Sequence, residues 1–183
     1  MPPETEYRHL TRWTVVGTSG SGKTTFAHQL AARLNLPHTE QDALYWLPNW
    51  TEPSIAEFRS IISDFVQAEA WVLDGNSRKV RDLVWSRAQA VVWLDYSKAV
   101  VLRRVTVRTF QRVLLRQRLW ADNREVWANL NPFRRESMIR YAWETHAKNR
   151  QRYEALFEGV DFPHLHYVRL SSPRHAQAWL DSL

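Results

Sequence analysis

Trp13-Thr14-Val15-Val16-Gly17-Thr18-Ser19-Gly20-Ser21-Gly22-Lys23-Thr24-Thr25-Phe26 reads as three consecutive pieces. Trp13 to Val16 is a short aromatic and β-branched run that stops at a glycine, as a buried strand does before a loop. Gly17 to Thr24 follows the pattern GxxxxGKT and holds three of the chain's five glycines. A loop that wraps a triphosphate needs backbone N–H groups turned inward, and glycine permits so tight a path. From Lys23 onward Phe26, Ala27, Leu30, Ala31 and Leu34 recur at helical spacing, and a helix start adds partial positive charge for an anion. At average composition such a pattern arises by accident in roughly one chain in a hundred or fewer of this length. The strand and helix on either side are the context the pattern requires.

These residues predict a nucleotide site made of Gly17, Thr18, Ser19, Gly20, Ser21, Gly22, Lys23, Thr24 and Thr25. Lys23 is expected to reach the β- and γ-phosphates of ATP, and the Thr24 hydroxyl to ligate Mg²⁺. Thr25 either caps the helix or touches the α-phosphate.

Beyond the loop, strands and helices alternate. Strands are expected at His38 to Gln41 (ending at Asp42), Trp71 to Leu73, Ala90 to Leu94 and His166 to Leu170. Between them helices are expected over Pro53–Ala68, Arg78–Arg87, Lys98–Leu119 and Met138–Phe157, with a last one opened by Ser172-Pro173. The segment from Trp120 to Arg135 carries Asn129, Asn131 and Pro132 as breakers. Such alternation implies right-handed βαβ units and a parallel sheet, with ligands at the carboxyl ends of the strands. Gly17, Asp42, Asp74 and Asp95 all fall at expected strand ends.

The 183 residues suit one domain, with 44% hydrophobic and 24% charged residues and no cysteine, which excludes disulfides and thiolate metal sites. Met1 to Thr11 has no apolar run, so neither a signal peptide nor an anchor is expected, and a cytoplasmic location follows. No stretch approaches the roughly 20 apolar residues of a membrane span. The net charge of +6 suits a phosphate-rich partner, either a nucleotide or a nucleic acid, or simply keeps the protein soluble.

With these residues in hand, the chain resembles the adenylate kinase-related P-loop kinases, and within them the group labelled "DNA topology modulation protein". The resemblance rests on Gly17–Thr25, on Asp42-Ala43-Leu44-Tyr45-Trp46-Leu47-Pro48-Asn49-Trp50, on Trp71-Val72-Leu73-Asp74-Gly75-Asn76 and on Val92-Trp93-Leu94-Asp95. Asn123-Arg124-Glu125 is similar to that group's lid region. It implies an α/β P-loop NTPase fold of the nucleoside/nucleotide kinase type, in three layers. A five-stranded parallel sheet and a helical lid over about 116–140 complete it, with ATP as donor. Adenylate kinases carry Asp-Gly-Phe/Tyr-Pro-Arg where this chain reads Asp74-Gly75-Asn76-Ser77-Arg78. That departure argues against AMP as acceptor, although Arg78 remains available to an anionic group.

Phosphoryl transfer needs Mg²⁺ held by a carboxylate near the loop. Asp74 is the first candidate; Asp95 competes, or caps the helix near Ser97. Asp42 stands where shikimate-type kinases place a carboxylate for the acceptor hydroxyl, or it is a loop residue. Gly75 and Asn76 offer close backbone approach and a donor–acceptor amide to the acceptor. Trp46 and Trp50 stack on a ring or fill the core. Arg104, Arg108, Arg112 and Arg116 recur every four residues, with Arg112 and Arg116 expected to stabilise the transferring phosphoryl group and the rest solvated. The leading expectation is a kinase acting on a nucleoside, nucleotide or hydroxylated metabolite. A nucleic-acid-associated NTPase, using the basic stripe, is the alternative, and a nucleotide-regulated interaction protein a third reading.

Overall fold

The computed structural model describes residues 7–124, 134, 137–158 and 161–183. Five parallel strands form one sheet: β1 Arg12–Gly17, β2 His38–Glu40, β3 Trp71–Asp74, β4 Ala90–Leu94 and β5 His166–Leu170. Their spatial order is β2-β3-β1-β4-β5, so the chain passes from β1 to the edge strand β2, returns to β3 beside β1, and then adds β4 and β5 on the other side. The crevice where the order reverses lies at the carboxyl end of β1, the position ligands take in open α/β sheets.

The central strands read as continuous apolar runs because both faces of the sheet are covered. Side chains alternate across it with period two. Trp13, Val15, Val72, Val92 and Leu94 face one core with Phe26 and Leu30 of α1 (Lys23–Leu34), Val101 and Val105 of α5 (Lys98–Leu114) and Trp179 of α7 (Pro173–Asp181). Val16, Trp71, Leu73, Val91 and Trp93 face the other. There they meet Phe58 and Ile62 of α3 (Ile55–Phe65), Trp85 of α4 (Arg81–Arg87) and Tyr153 of α6 (Met138–Leu156). Four of the chain's ten tryptophans therefore lie deep in the core: Trp13, Trp71, Trp85 and Trp93 are 0–2% exposed.

Local chemistry explains the element ends. A capping box of Ser54 and Glu57 starts α3, two residues later than expected, and Ser172 caps α7 ahead of Pro173. Ser97 accepts from the Val100 N–H and starts α5, so Asp95 is not the cap of that helix. Three expectations are corrected. Strand β2 stops at Glu40, and a short helix, α2 (Gln41–Tyr45), follows, so Asp42 sits in that helix rather than at a strand end. The turn after β3 delays α4 to Arg81. Helix α5 ends at Leu114 instead of Leu119, because Arg116 enters the left-handed region at φ 48°. Of the lid expected over about 116–140, residues 125–133, 135 and 136 lie outside the described residues. Among the described residues no helix is long and apolar enough to cross a membrane.

Candidate active site

The loop Gly17–Gly22 leaves β1 and enters α1 with no side chain capping the helix. Its first N–H groups are therefore open to an anion. The loop is held from outside by α5. A Cβ on Gly20 would stand 2.9 Å from the Val101 carbonyl oxygen and from the Val105 Cβ, at φ 88°. Gly22, at φ 90°, is backed by Arg104 Nη1, which donates to the Ser21 carbonyl at 2.7 Å. Glycines here let a helix close on the loop from behind while the inner side stays free. The Ser21 hydroxyl is buried beneath the loop beside Gly17, and it does not line the cleft.

Inside the loop lies a cleft of about 650 Å³. Ser19, Gly20, Gly22, Lys23, Thr24 and Thr25 form one wall. Asp42, Asp74, Glu40, Gln117 and Trp120 line it as well. Arg104, Arg108 and Arg112 of α5 also line it, so the first three members of the arginine stripe turn toward the loop. Arg116, past the end of α5, is exposed and is not among the lining residues.

Asp74 closes β3 directly beside the loop. Its Oδ1 accepts from the Thr24 hydroxyl at 3.1 Å, and its Oδ2 lies 2.8 Å from His38 Nε2. A hydroxyl and a carboxylate facing each other at the foot of a phosphate loop are a fitting donor pair for Mg²⁺. Asp95 is committed elsewhere: Oδ2 accepts from Arg169 Nη2 at 2.6 Å and Oδ1 pairs with Arg150 Nε at 3.2 Å. Thr25 lies within α1, where no side chain caps the helix, and it lines the cleft.

Charges in the cleft act strongly on one another. Burial pulls the Lys23 ammonium below its ordinary pKa, with Arg108 in the same direction, against the opposing pull of Asp74 and Asp42. Asp42 is open to the cleft's water yet ringed by protein, and that burial, aided by Asp74, pushes its carboxyl up against Lys23, Arg108 and Arg112. Glu40 is raised by burial, then by Asp74 and Asp42, while the Trp120 N–H and His38 oppose the shift.

The remaining expected acceptor residues are placed differently from the sequence reading. Gly75 does allow a close approach, but by protein: a Cβ there would stand 2.3 Å from Gln41 Cβ. Gln41 Oε1 accepts from the Ser77 N–H, fixing the turn after β3. Asn76 Nδ2 donates to the Gly17 carbonyl at 3.1 Å and so braces the start of the loop. Arg78 is exposed on the turn before α4 and does not line the cleft. Trp46 and Trp50 pack edge to face at 5.3 Å and are not among the residues lining the cleft, whose aromatic rings are Phe26, Tyr96 and Trp120. Sequence reasoning missed Trp120, Glu40, Gln117 and His38. The only signal for His38 was its place on the strand that pairs with β3.

No family model matches the chain. A curated relative, the uncharacterized protein YqaC of Bacillus subtilis (strain 168), is 33% identical over 100 residues, 54% of this chain and 56% of that protein. The matched part thus spans about half of that relative's length. Solved structures align over nearly the whole chain. A shikimate kinase from Acinetobacter baumannii in complex with shikimate is 19% identical, with a TM-score of 0.55, covering 98% of this chain and 93% of that one. A gluconokinase from Sinorhizobium meliloti 1021 is 19% identical, with a TM-score of 0.52 and coverage of 93% and 91%. A shikimate kinase from Bacteroides thetaiotaomicron is 13% identical, with a TM-score of 0.53 and coverage of 94% and 95%. With the parallel sheet and the glycine loop at its centre, these likenesses show the fold to be that of an α/β P-loop NTPase.

Proposed function

We propose that the protein is a P-loop kinase that transfers the γ-phosphoryl group of ATP to a hydroxyl of a small, hydroxylated acceptor. The observation that carries this reading is the single cleft in which the glycine loop, Lys23, the Thr24–Asp74 pair, Asp42 and three arginines meet. The likeness to shikimate kinases and a gluconokinase, which act on small hydroxylated compounds, supports the same class. So does the sequence resemblance to adenylate kinase-related proteins. The narrower resemblance to the DNA topology modulation group names no acceptor. Arg104, Arg108 and Arg112 line the cleft, so the stripe that favoured a nucleic-acid partner has a use at the phosphates.

In this reading the loop N–H groups and the start of α1 hold the triphosphate, and Thr24 and Asp74 hold Mg²⁺. The metal supplies charge neutralisation on the phosphate oxygens when bound. Lys23 and the guanidinium groups of Arg108 and Arg112 balance negative charge that spreads over the transferring group. Asp42 takes the proton of the attacking hydroxyl, and its raised pKa brings it nearer to the working pH of a general base.

The test is label transfer from γ-labelled ATP with Mg²⁺ to pooled sugars and sugar acids, ring hydroxy acids, nucleosides and nucleoside monophosphates. Label on one acceptor is expected, and Lys23→Ala should lower its rate by about 100-fold or more. Label released only to water across every pool would overturn the kinase reading.

A further inference from the structure

Two short turns meet where Trp120 lines the cleft, at the end assigned to the acceptor in the kinase reading, and each carries backbone strain. In the turn Pro48–Trp50, Asn49 and Trp50 have φ of 60° and 56°; in the turn Trp120–Asp122, Ala121 and Asp122 have φ of 51° and 59°. Left-handed backbone is unfavourable for residues with a Cβ, most of all for one as bulky as tryptophan, and persists only where the surroundings hold it.

What holds both turns is Asn123, which is 5% exposed. Its Oδ1 accepts from the Trp50 backbone N–H at 2.9 Å, and its Nδ2 donates to the Leu47 carbonyl at 2.9 Å. Its own backbone closes the second turn, with Asn123 N–H to the Trp120 carbonyl at 3.1 Å and Leu119 N–H to the Asn123 carbonyl at 2.7 Å. A side-chain amide is suited to this because it offers a donor and an acceptor in one plane. Beside it, Trp50 Nε1 donates to the Arg124 carbonyl at 3.2 Å. The joined turns carry an aromatic ladder: Trp46 against Trp50 at 5.3 Å, and Trp50 against Trp120 at 6.5 Å, both edge to face. At its inner end Trp120 Nε1 donates to Glu40 Oε2 at 3.1 Å, and both residues line the cleft with Asp42.

We propose that Asn123 is the positioning residue of the acceptor end. Its amide clamps the Leu47–Thr51 turn to the Leu119–Arg124 turn and so keeps the Trp120 ring and Glu40 in the cleft wall. That this end receives the acceptor rests on the kinase reading above; the clamp itself does not.

The experiment compares wild type with Asn123→Ala and Asn123→Asp by amide and indole hydrogen exchange. In Asn123→Ala the Trp50 amide and the Trp50 and Trp120 indoles should exchange about tenfold faster, with the Val15 and Val92 amides of the sheet unchanged. Asn123→Asp keeps the oxygen that accepts from Trp50 and should retain that amide's protection within about threefold. On the acceptor found in the pooled screen, Asn123→Ala should raise KM about tenfold while the Kd for Mg²⁺ and the non-hydrolysable analogue AMP-PNP stays within about twofold. The proposal is overturned by wild-type exchange in Asn123→Ala, by equal acceleration at Val15 and Val92, or by Asn123→Asp behaving as Asn123→Ala. A changed nucleotide Kd with unchanged acceptor KM would overturn it as well. If no pool is labelled, the kinase reading falls, and the exchange rates still decide the clamp.

Discussion

Asp74 turns one carboxylate oxygen toward Thr24 and the other toward His38, so His38 helps orient the carboxylate that is proposed to hold Mg²⁺. Partners of this kind govern metal affinity. His38→Gln should weaken Mg²⁺ activation of nucleotide binding by about tenfold, read from a Mg²⁺ titration; an unchanged titration would reduce His38 to a neighbour. Asp42 yields a prediction with a definite sign. Its folded pKa is raised, so its contribution to stability is fully present below the unfolded value and is lost as pH rises through the folded one. Asp42→Asn should therefore melt higher than wild type at neutral pH, and the difference should shrink as pH falls and level off well below about pH 3.9, where the carboxyl is protonated in both states. A wild type that melts higher than Asp42→Asn at neutral pH would contradict this. Glycine spacing marked Lys23 and Thr24 in the sequence and a strand end marked Asp74, whereas Asp42 lines the cleft from α2 and not from the strand end expected for it. His38 was not legible in the sequence. It reaches Asp74 only through the register of β2 on β3, which pairs Glu40 with Asp74, and no local pattern encodes that register.

Helix α5 is the element that makes the loop a site, since it closes on Gly20 from behind and brings Arg104 to the Ser21 carbonyl. Gly20→Ala should cost about 1–3 kcal/mol, from the left-handed backbone and the contact with Val101 and Val105 together. Denaturant midpoints measure it, and wild-type stability would show that α5 yields freely. The arginine periodicity of this helix could be read directly, and three of its four members line the cleft. Its end could not be read, because Leu115 and Arg116 break the helix without glycine or proline. The same is true of α2, where Gln41 to Tyr45 leave the strand after only three residues.

Across the whole molecule, the alternation of strands and helices was enough to predict a parallel α/β sheet around the glycine loop. The order of the strands was not, because it depends on which crossover packs on which face. Nor was the part of the cleft lining that joins Glu40 to Trp120 across 80 positions of sequence. Asp95 shows how a strand-end carboxylate serves the fold instead of the site. With Arg169, Arg150 and Glu154 it ties β4 to β5 and α6. Asp95→Asn should destabilise the fold by about 1–3 kcal/mol, by denaturant midpoint, and leave the Kd for Mg²⁺ and AMP-PNP unchanged. Asp74→Asn should do the reverse. Loss of Mg²⁺-dependent nucleotide binding in Asp95→Asn would return Asp95 to the site.

The most direct test of phosphoryl transfer in this cleft follows γ-label from ATP in a single turnover, wild type against Asp42→Asn, on the acceptor found in the pooled screen. The account predicts that Asp42→Asn binds Mg²⁺ and AMP-PNP within about threefold of wild type yet transfers label at least about 100-fold more slowly. Transfer by Asp42→Asn at the wild-type rate, or wild-type label passing only to water, would contradict it.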